Sequence, residues 1–191
     1  LNFAHIKRDE INQHDKAALE YKKLSEPLKI DESGTASGYL PQPKLEFNLI
    51  RLHGKYYEGR CYEEAANQKD VNSEPAMLKA YKETTRFFKI TFQPLINAPN
   101  INTLNRDHYI TESTKIFKDL VNRHPKNEDA AYWQYLTGEY YFAKKDFENA
   151  IAEYEKVLKI YPTSDYVKDA SDRIEEIRQE LENKIDWQMG Y

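Results

Sequence analysis

The sequence predicts an all-α fold in which antiparallel helix-turn-helix repeats stack into a right-handed superhelix. Apolar residues recur at steps of three and four along most of the 191 residues, which is the helical period. Two similar turns, His124-Pro125 and Tyr161-Pro162, follow two of these segments, and their prolines lie at positions that differ by 37. Because proline ends a helix, a turn repeated at this spacing indicates a repeated helix pair. Only six glycines are present, which argues against the many tight turns of an all-β chain.

The N-terminal part of the chain predicts one helix followed by a long loop. Apolar and charged positions alternate from 2 to 25 and Pro27 then ends the pattern, so residues 1–29 are assigned to an N-terminal helix. Residues 30–44 are rich in Gly, Ser and Pro and predict a loop. Since this loop is longer than an ordinary connection between helices, it is either an exposed connection or a loop that folds over a binding partner.

The next segment, 45–105, predicts a degenerate helix pair. Its elements are a helix at 45–66, an N-cap at Ser73, a helix from Glu74 to about Phe92, and a second loop at 94–105. Gly54 and Tyr57 stand three positions apart, and a glycine and a tyrosine stand three apart again at 138 and 141. We therefore interpret this pair as the first member of the repeat.

The C-terminal segment, 106–191, predicts further helix pairs, the last of them incomplete. Its elements are a helix at 106–122, a helix from Glu128 with Asn127 as N-cap, a helix capped by Asp146, and a helix capped by Ser164. At an offset of 37, Phe117 aligns with Tyr154, which places an aromatic ring at the same seam in both units. The chain ends at Met-Gly-Tyr, where the pattern indicates a new helix. The N-terminal helix, the two helices of the degenerate pair and the four helices named here make seven, in a single domain over residues 1–191.

The middle of this segment resembles a tetratricopeptide unit, whose period is about 34 residues. Counted from Ala131 as position 1, the matching small, aromatic and proline positions are 8, 11, 20, 24 and 32: Gly138, Tyr141, Ala150, Tyr154 and Pro162. Three positions depart from the pattern, where Trp, Leu and Ala are usual: Gln134, Thr137 and Val157. The resemblance implies a close helix crossing at the small residues. It also implies a surface that binds proteins rather than a catalytic site.

The same resemblance points to candidate partner-binding residues. In tetratricopeptide-like pairs the first helix of each unit lines the concave face, and positions 2, 5, 9 and 12 of that helix are Tyr132, Tyr135, Glu139 and Phe142. These side chains are expected to form an aromatic groove for a peptide or a partner helix. The alternative is that they pack against the preceding helix, 106–122.

A second resemblance covers residues 104–191, which look like the later repeats of the lipoprotein subunit of the bacterial outer-membrane β-barrel assembly machinery. The matching positions are Tyr161, Pro162, Ser164, Ala170, Arg173, Ile174, Leu181 and Tyr191. In that family a new helix follows the conserved leucine. Periplasmic repeat proteins of the Tol-Pal type share the Tyr-Pro-x-Ser turn. The resemblance implies an envelope scaffold, but the lipid-bearing N-terminal cysteine of that family has no counterpart, so membrane association is expected only through a partner or a missing N-terminal anchor.

Residue types that carry chemistry are sparse. The five histidines form no HxxxH or HExxH pattern, and Cys61 is expected to be a small buried apolar residue. We therefore predict no catalytic, cofactor-binding or metal-binding residues. The net charge of −4 is small and both signs are interspersed, so no nucleic-acid partner is expected. The sequence has no run of about 18 apolar residues, so no transmembrane segment is predicted.

Three functions remain open from the residues. The first is a non-catalytic scaffold that binds a protein or peptide, for which the resemblance implies the bacterial envelope and periplasm. The second is a cytoplasmic adaptor that recognises short peptides. The third is a helical enzyme whose site lies at the loops 30–44 and 94–105.

Overall fold

The computed structural model describes residues 18, 21–22, 42–67, 73–93, 96 and 106–189. Within these residues the regular elements are all helices and no strand occurs, which confirms the all-α prediction. The helices are α1 (Gln42–Asn67), α2 (Ser73–Thr91), α3 (Arg106–Arg123), α4 (Ala130–Ala143), α5 (Phe147–Ile160) and α6 (Tyr166–Met189). The chain divides into two compact units, Leu1–Tyr109 and Ile110–Tyr191. The single domain over 1–191 and the right-handed superhelix stay predictions.

Several predicted elements lie outside the described residues. Of the N-terminal helix at 1–29, only positions 18, 21 and 22 are described, and all three are helical. The loop at 94–105 is described only at Ile96, and the loop at 30–44 only at its last three residues. Those three residues are helical, because α1 begins at Gln42 rather than at 45. Pro43 suits this first turn, where its missing N–H has no helical acceptor to bond.

In the first unit, α1 and α2 pack against each other as an antiparallel pair. The Arg51 guanidinium carbon lies 4.7 Å from the centre of the Phe87 ring, and further along α1 Gly59 lies beneath Tyr81, which comes earlier in α2. The contacts therefore run in opposite directions along the two helices. At the second position a Cβ would lie 2.6 Å from Tyr81 Cδ1, so only glycine fits. The core of this pair includes Leu45, Leu49, Leu52, Met77, Ala80, Tyr81 and Phe88.

The glycine at this crossing corrects the predicted repeat. Spacing had paired Gly54 with Tyr57, whereas the tyrosine of the neighbouring helix lies over Gly59. Gly59 and Tyr62 have the same three-residue spacing. Two glycines five positions apart on one helix offer the same pattern, and only the packing partner distinguishes them.

In the second unit, α4 and α5 form another antiparallel pair with the same crossing. Phe142 and Phe147 meet near the turn, and Gly138 lies beneath Tyr154, where a Cβ would be 2.5 Å from Tyr154 Cδ1. This confirms the predicted close crossing at Gly138. The helices α5 and α6 share the buried cluster Phe147, Ala150, Tyr154, Val157, Ala170, Ile174 and Ile177.

The predicted caps of the second unit fall close to the observed helix starts. Asp146 accepts a hydrogen bond from Asn149 N at 3.4 Å, and Ser164 Oγ accepts one from Tyr166 N at 3.2 Å, which confirms both caps. Asn127 Oδ1 makes the same kind of bond as Ser164, accepting from the N–H two residues on, Asp129 N, at 2.9 Å, but α4 begins only at Ala130, two residues later than predicted.

The end of α6 also corrects a prediction. A break and a new helix were expected after Leu181, but α6 continues without interruption to Met189. No glycine or proline lies between 166 and 189, and Glu180 and Lys184 form an ion pair at 3.0 Å one turn apart. The local sequence therefore supports continuation rather than a turn.

Candidate partner-binding site

The four predicted binding residues lie on one face of α4. Tyr132 is 2% exposed and Glu139 is 3% exposed, whereas Tyr135 and Phe142 are half-buried. At 100° per residue, positions 132, 135, 139 and 142 fall within one side of the helix. We call these four residues the aromatic stripe.

The aromatic stripe is covered by α6 of the same chain. The Tyr166 ring lies 5.2 Å from the Tyr132 ring and 5.6 Å from the Tyr135 ring, with an angle of 28° between the planes of Tyr135 and Tyr166. Further along, the Arg173 guanidinium lies 4.6 Å from the centre of the Phe142 ring. The sequence had suggested helix 106–122 as the alternative packing partner, whereas these contacts come from α6, the second helix after α4.

A buried carboxylate fixes α6 against this face. Glu139 accepts hydrogen bonds from Arg173 Nε at 2.9 Å and from Arg173 Nη2 at 3.1 Å, so the pair is bidentate. The Tyr154 hydroxyl donates a third bond to Glu139 at 2.6 Å. A buried charge is tolerated when it is paired and hydrogen-bonded. Glu139 meets this condition, because Arg173 on α6 and Tyr154 on α5 together donate three hydrogen bonds to it.

The pKa values of the partners follow from the same geometry. Burial raises the pKa of Tyr154, and the negative charge of Glu139 raises it further. Burial lowers the pKa of Arg173, but its hydrogen bonds to Glu139 and the charge of that carboxylate outweigh this and raise the pKa overall. At neutral pH, Arg173 is therefore a fixed cation and Tyr154 a fixed hydrogen-bond donor.

Sequence reasoning missed the importance of Arg173 in this site. The residue appeared only as one match in the turn-and-helix resemblance. The available signal is its position, since Arg173 lies nine residues after Ser164 on the same side of α6 as Ala170, Ile174 and Ile177. A cation on the border of an apolar stripe is a candidate partner for a buried acid.

The other predictions about chemistry concern residues in the first unit. Cys61 is fully buried and packs with Ala18 and Tyr21, as expected of a small core residue. The loops proposed for an enzyme site, 30–44 and 94–105, lie outside the described residues except at 42–44 and 96. Among the helices that are described, none is both long and apolar enough to cross a bilayer.

Comparison with known proteins bears on the second unit. The family model of the tetratricopeptide repeat matches residues 134–164. This segment holds the Gly138–Tyr154 crossing, all of α5 and the Tyr-Pro turn, so the repeat-like reading of this helix pair is confirmed. No curated protein and no solved structure matches the chain. A tetratricopeptide repeat indicates a protein-interaction scaffold and leaves the compartment open.

Proposed function

We propose that this chain is a non-catalytic scaffold that binds another protein through its second unit. The observation that supports this most is the α4–α5 helix pair, which matches the tetratricopeptide repeat and already binds a helix of its own chain along the aromatic stripe. Repeat units of this kind bury a core with their neighbours and leave extended faces for partners. The interspersed charges favour a protein over a nucleic acid as partner.

Within the aromatic stripe, the two half-buried rings are the proposed partner contacts. Tyr135 and Phe142 keep part of their surface in solvent beside α6. Tyr132 and Glu139 are buried and act by holding α6 in place. Aromatic side chains at a rigid edge supply contact area at low entropic cost and often dominate binding energy.

Photo-crosslinking tests this surface without removing a ring from it. Phe142→p-benzoylphenylalanine keeps an aromatic side chain at the site, and Glu175→p-benzoylphenylalanine on the exposed face of α6 is the control. After irradiation in cells of the source organism, the variant at 142 should form a discrete protein adduct that the control lacks. If both variants give the same adducts, or if neither gives any, the edge of the aromatic stripe is not a partner surface.

For the compartment, we propose the bacterial envelope, with a cytoplasmic peptide adaptor as the alternative. The Tyr161-Pro162-x-Ser164 turn and the helix after it support this placement through their resemblance to envelope repeat proteins. The continuous α6 lacks the turn that those proteins have after the conserved leucine. Fractionation of the full-length protein in its source decides the matter. Recovery in the cytoplasmic fraction alone would favour the adaptor.

A further inference from the structure

The solvent-facing side of α2, in the first unit, is basic. Four cationic side chains recur along it at steps of three, four and three, and each of them is exposed. They are Lys79, Lys82, Arg86 and Lys89. The two acidic residues of α2 lie outside the arc of these cations, Glu74 in the first turn and Glu83 beside Lys55 of α1, with which it pairs. Because the whole chain has a net charge of −4, this side of α2 is a local concentration of positive charge.

Two exposed aliphatic side chains flank the cations. Ile90 is 68% exposed and Leu78 is 44% exposed, so two of the four large hydrophobic side chains that are exposed among the described residues lie here. At about 100° per residue the four cations fall between Leu78 and Ile90, and all six residues share an arc of about 120°. Along the helix axis the two aliphatic residues are about 18 Å apart. We call these six residues the basic face.

The buried side of α2 holds the basic face in place. The Tyr81 ring lies over Gly59 of α1, and its hydroxyl donates a hydrogen bond to Glu63 at 2.7 Å. The helix therefore cannot turn its buried side outward without separating from α1. A ligand of the basic face meets a helix that is already formed, so little ordering is needed on binding.

The chemistry of the basic face favours an anionic lipid surface over other anionic partners. Three of the four cations are lysines, and lysine is depleted at the core of protein–protein interfaces. A nucleic acid offers phosphates to the cations, but its backbone offers little apolar surface to Leu78 and Ile90. A bilayer offers both, because its phosphates overlie an apolar interior, and long lysine side chains reach the headgroups while aliphatic neighbours lie deeper.

We propose that the basic face of α2 binds the surface of a bilayer that contains anionic lipids. The four cations meet the lipid phosphates, and Leu78 and Ile90 enter the headgroup layer. This is peripheral binding, which needs neither a spanning helix nor a lipid anchor, and it adds a route to the membrane beside the two that the sequence led us to expect. The basic face lies in the first unit and the proposed partner surface in the second, so neither proposal depends on the other.

Co-sedimentation with vesicles tests the proposal. Purified full-length protein is mixed with vesicles of equal parts phosphatidylglycerol and phosphatidylcholine, or of phosphatidylcholine alone, in about 0.1 M salt, where the Debye length is about 10 Å. The protein should pellet only with the anionic vesicles. Each cation near an anionic surface contributes a factor of about five to the partition coefficient, so the Lys79→Gln, Arg86→Gln double variant should bind about tenfold more weakly or worse. The charge-matched control Lys168→Gln, Arg178→Gln, on the exposed side of α6, should bind like the wild-type chain.

Three results of this experiment would overturn the proposal. They are equal binding to the two kinds of vesicle, no binding to either, and equal losses in the two double variants. Retention of the protein on immobilised polyglutamate without binding to vesicles would also overturn it, and would assign the basic face to an acidic protein partner instead.

A dye at the edge of the basic face locates the contact without removing a charge. Ile90→Cys labelled with nitrobenzoxadiazole should shift its emission to shorter wavelength on anionic vesicles, because position 90 enters the headgroup layer. The matched control is Ile160→Cys on α5, where the native isoleucine is 54% exposed, and its emission should not shift. Cys61 is fully buried, so the dye reacts with the introduced thiol. Equal shifts at 90 and 160, or no shift at 90, would show that the basic face does not contact the bilayer.

Discussion

At the residue scale, the two helix pairs share one device, a tyrosine lying over a glycine. Tyr81 covers Gly59 and Tyr154 covers Gly138. Each tyrosine also donates its hydroxyl proton to a carboxylate on the glycine's helix, Glu63 at 2.7 Å in the first pair and Glu139 at 2.6 Å in the second. The glycine brings the helix axes close, and the hydrogen bond lets a polar group lie in the seam.

Adding one methyl group at this crossing should destabilise the second unit. We expect Gly138→Ala to lower the free energy of unfolding by roughly 1–3 kcal/mol in chemical denaturation, because the ring overlap outweighs the better helix propensity of alanine. The control is the same change in a Tyr154→Leu background. There the loss should largely disappear. An equal loss in both backgrounds would show that Tyr154 is not the neighbour that excludes the methyl group.

The turn between α4 and α5 offers a stabilising change. Lys145 has φ 59°, in the left-handed region, and its N–H bonds the Phe142 carbonyl at 2.9 Å. Asp146 N bonds the Tyr141 carbonyl at 3.0 Å, which completes a glycine-type helix end. Lys145→Gly should therefore raise the free energy of unfolding by about 1 kcal/mol. Lys144→Gly, at φ −87°, should lower it. A loss of stability in both variants would contradict this.

Glu58 in α1 makes the stability of the first unit depend on pH. The residue is 7% exposed, and burial raises its carboxyl pKa above 4.5, although the charge of Lys55 opposes this. The folded state then binds the proton more tightly than the unfolded state. The contribution of Glu58 to stability is therefore fully present below pH 4.5, and it is lost as pH rises through the pKa of Glu58 in the folded state.

Replacing Glu58 with a neutral amide should remove that loss. Thermal melting should show Glu58→Gln more stable than the wild-type chain at pH 7, with a smaller difference at pH 4. Glu155→Gln, at an exposed position on α5, is the matched control and should change neither value much. The same difference at both pH values would mean that Glu58 does not titrate as inferred.

At the element scale, α6 acts as a clamp on the aromatic stripe. Its apolar positions were readable from the sequence, since Ala170, Ile174 and Ile177 recur at helical steps and are buried. The helix that α6 packs against could not be predicted, because the helical period shows which face of a helix is buried but not which element covers it. The contacts of Tyr166 and Arg173 with α4 are long-range pairings that depend on how the turn at 161–165 directs the chain.

Removing the cation of this clamp should leave an acid buried without its charge partner. Arg173→Met should lower the free energy of unfolding by roughly 2–4 kcal/mol, because Glu139 then loses both of its bonds to Arg173 and the opposing charge. The Glu139→Gln, Arg173→Met double variant should recover part of that loss. Glu176→Ala removes only the exposed partner of Arg173 and should cost under about 1 kcal/mol. Similar losses for Arg173→Met and Glu176→Ala would refute the clamp.

At the scale of the whole molecule, the sequence predicted the helix content and the repeat-like pair well, because periodicity, caps and proline turns are local signals. Gly138, Asp146 and Ser164 were placed correctly for this reason. Three points were wrong or missed. Gly54 was taken for the crossing glycine instead of Gly59, a break was expected after Leu181, and helix 106–122 rather than α6 was named as the helix that could cover the aromatic stripe. Each of these depends on a contact between segments distant in sequence, or on a comparison with another family that this chain follows only in part.

The central claim is that the second unit is a protein-binding scaffold. Lysine-directed crosslinking of the full-length protein, captured from its source and read by mass spectrometry, tests it most directly. The account predicts a co-purifying protein whose crosslinks fall in residues 110–191, for example at Lys144 at the end of α4. Absence of a protein in near-equal amount, or crosslinks confined to residues 1–109, would contradict it.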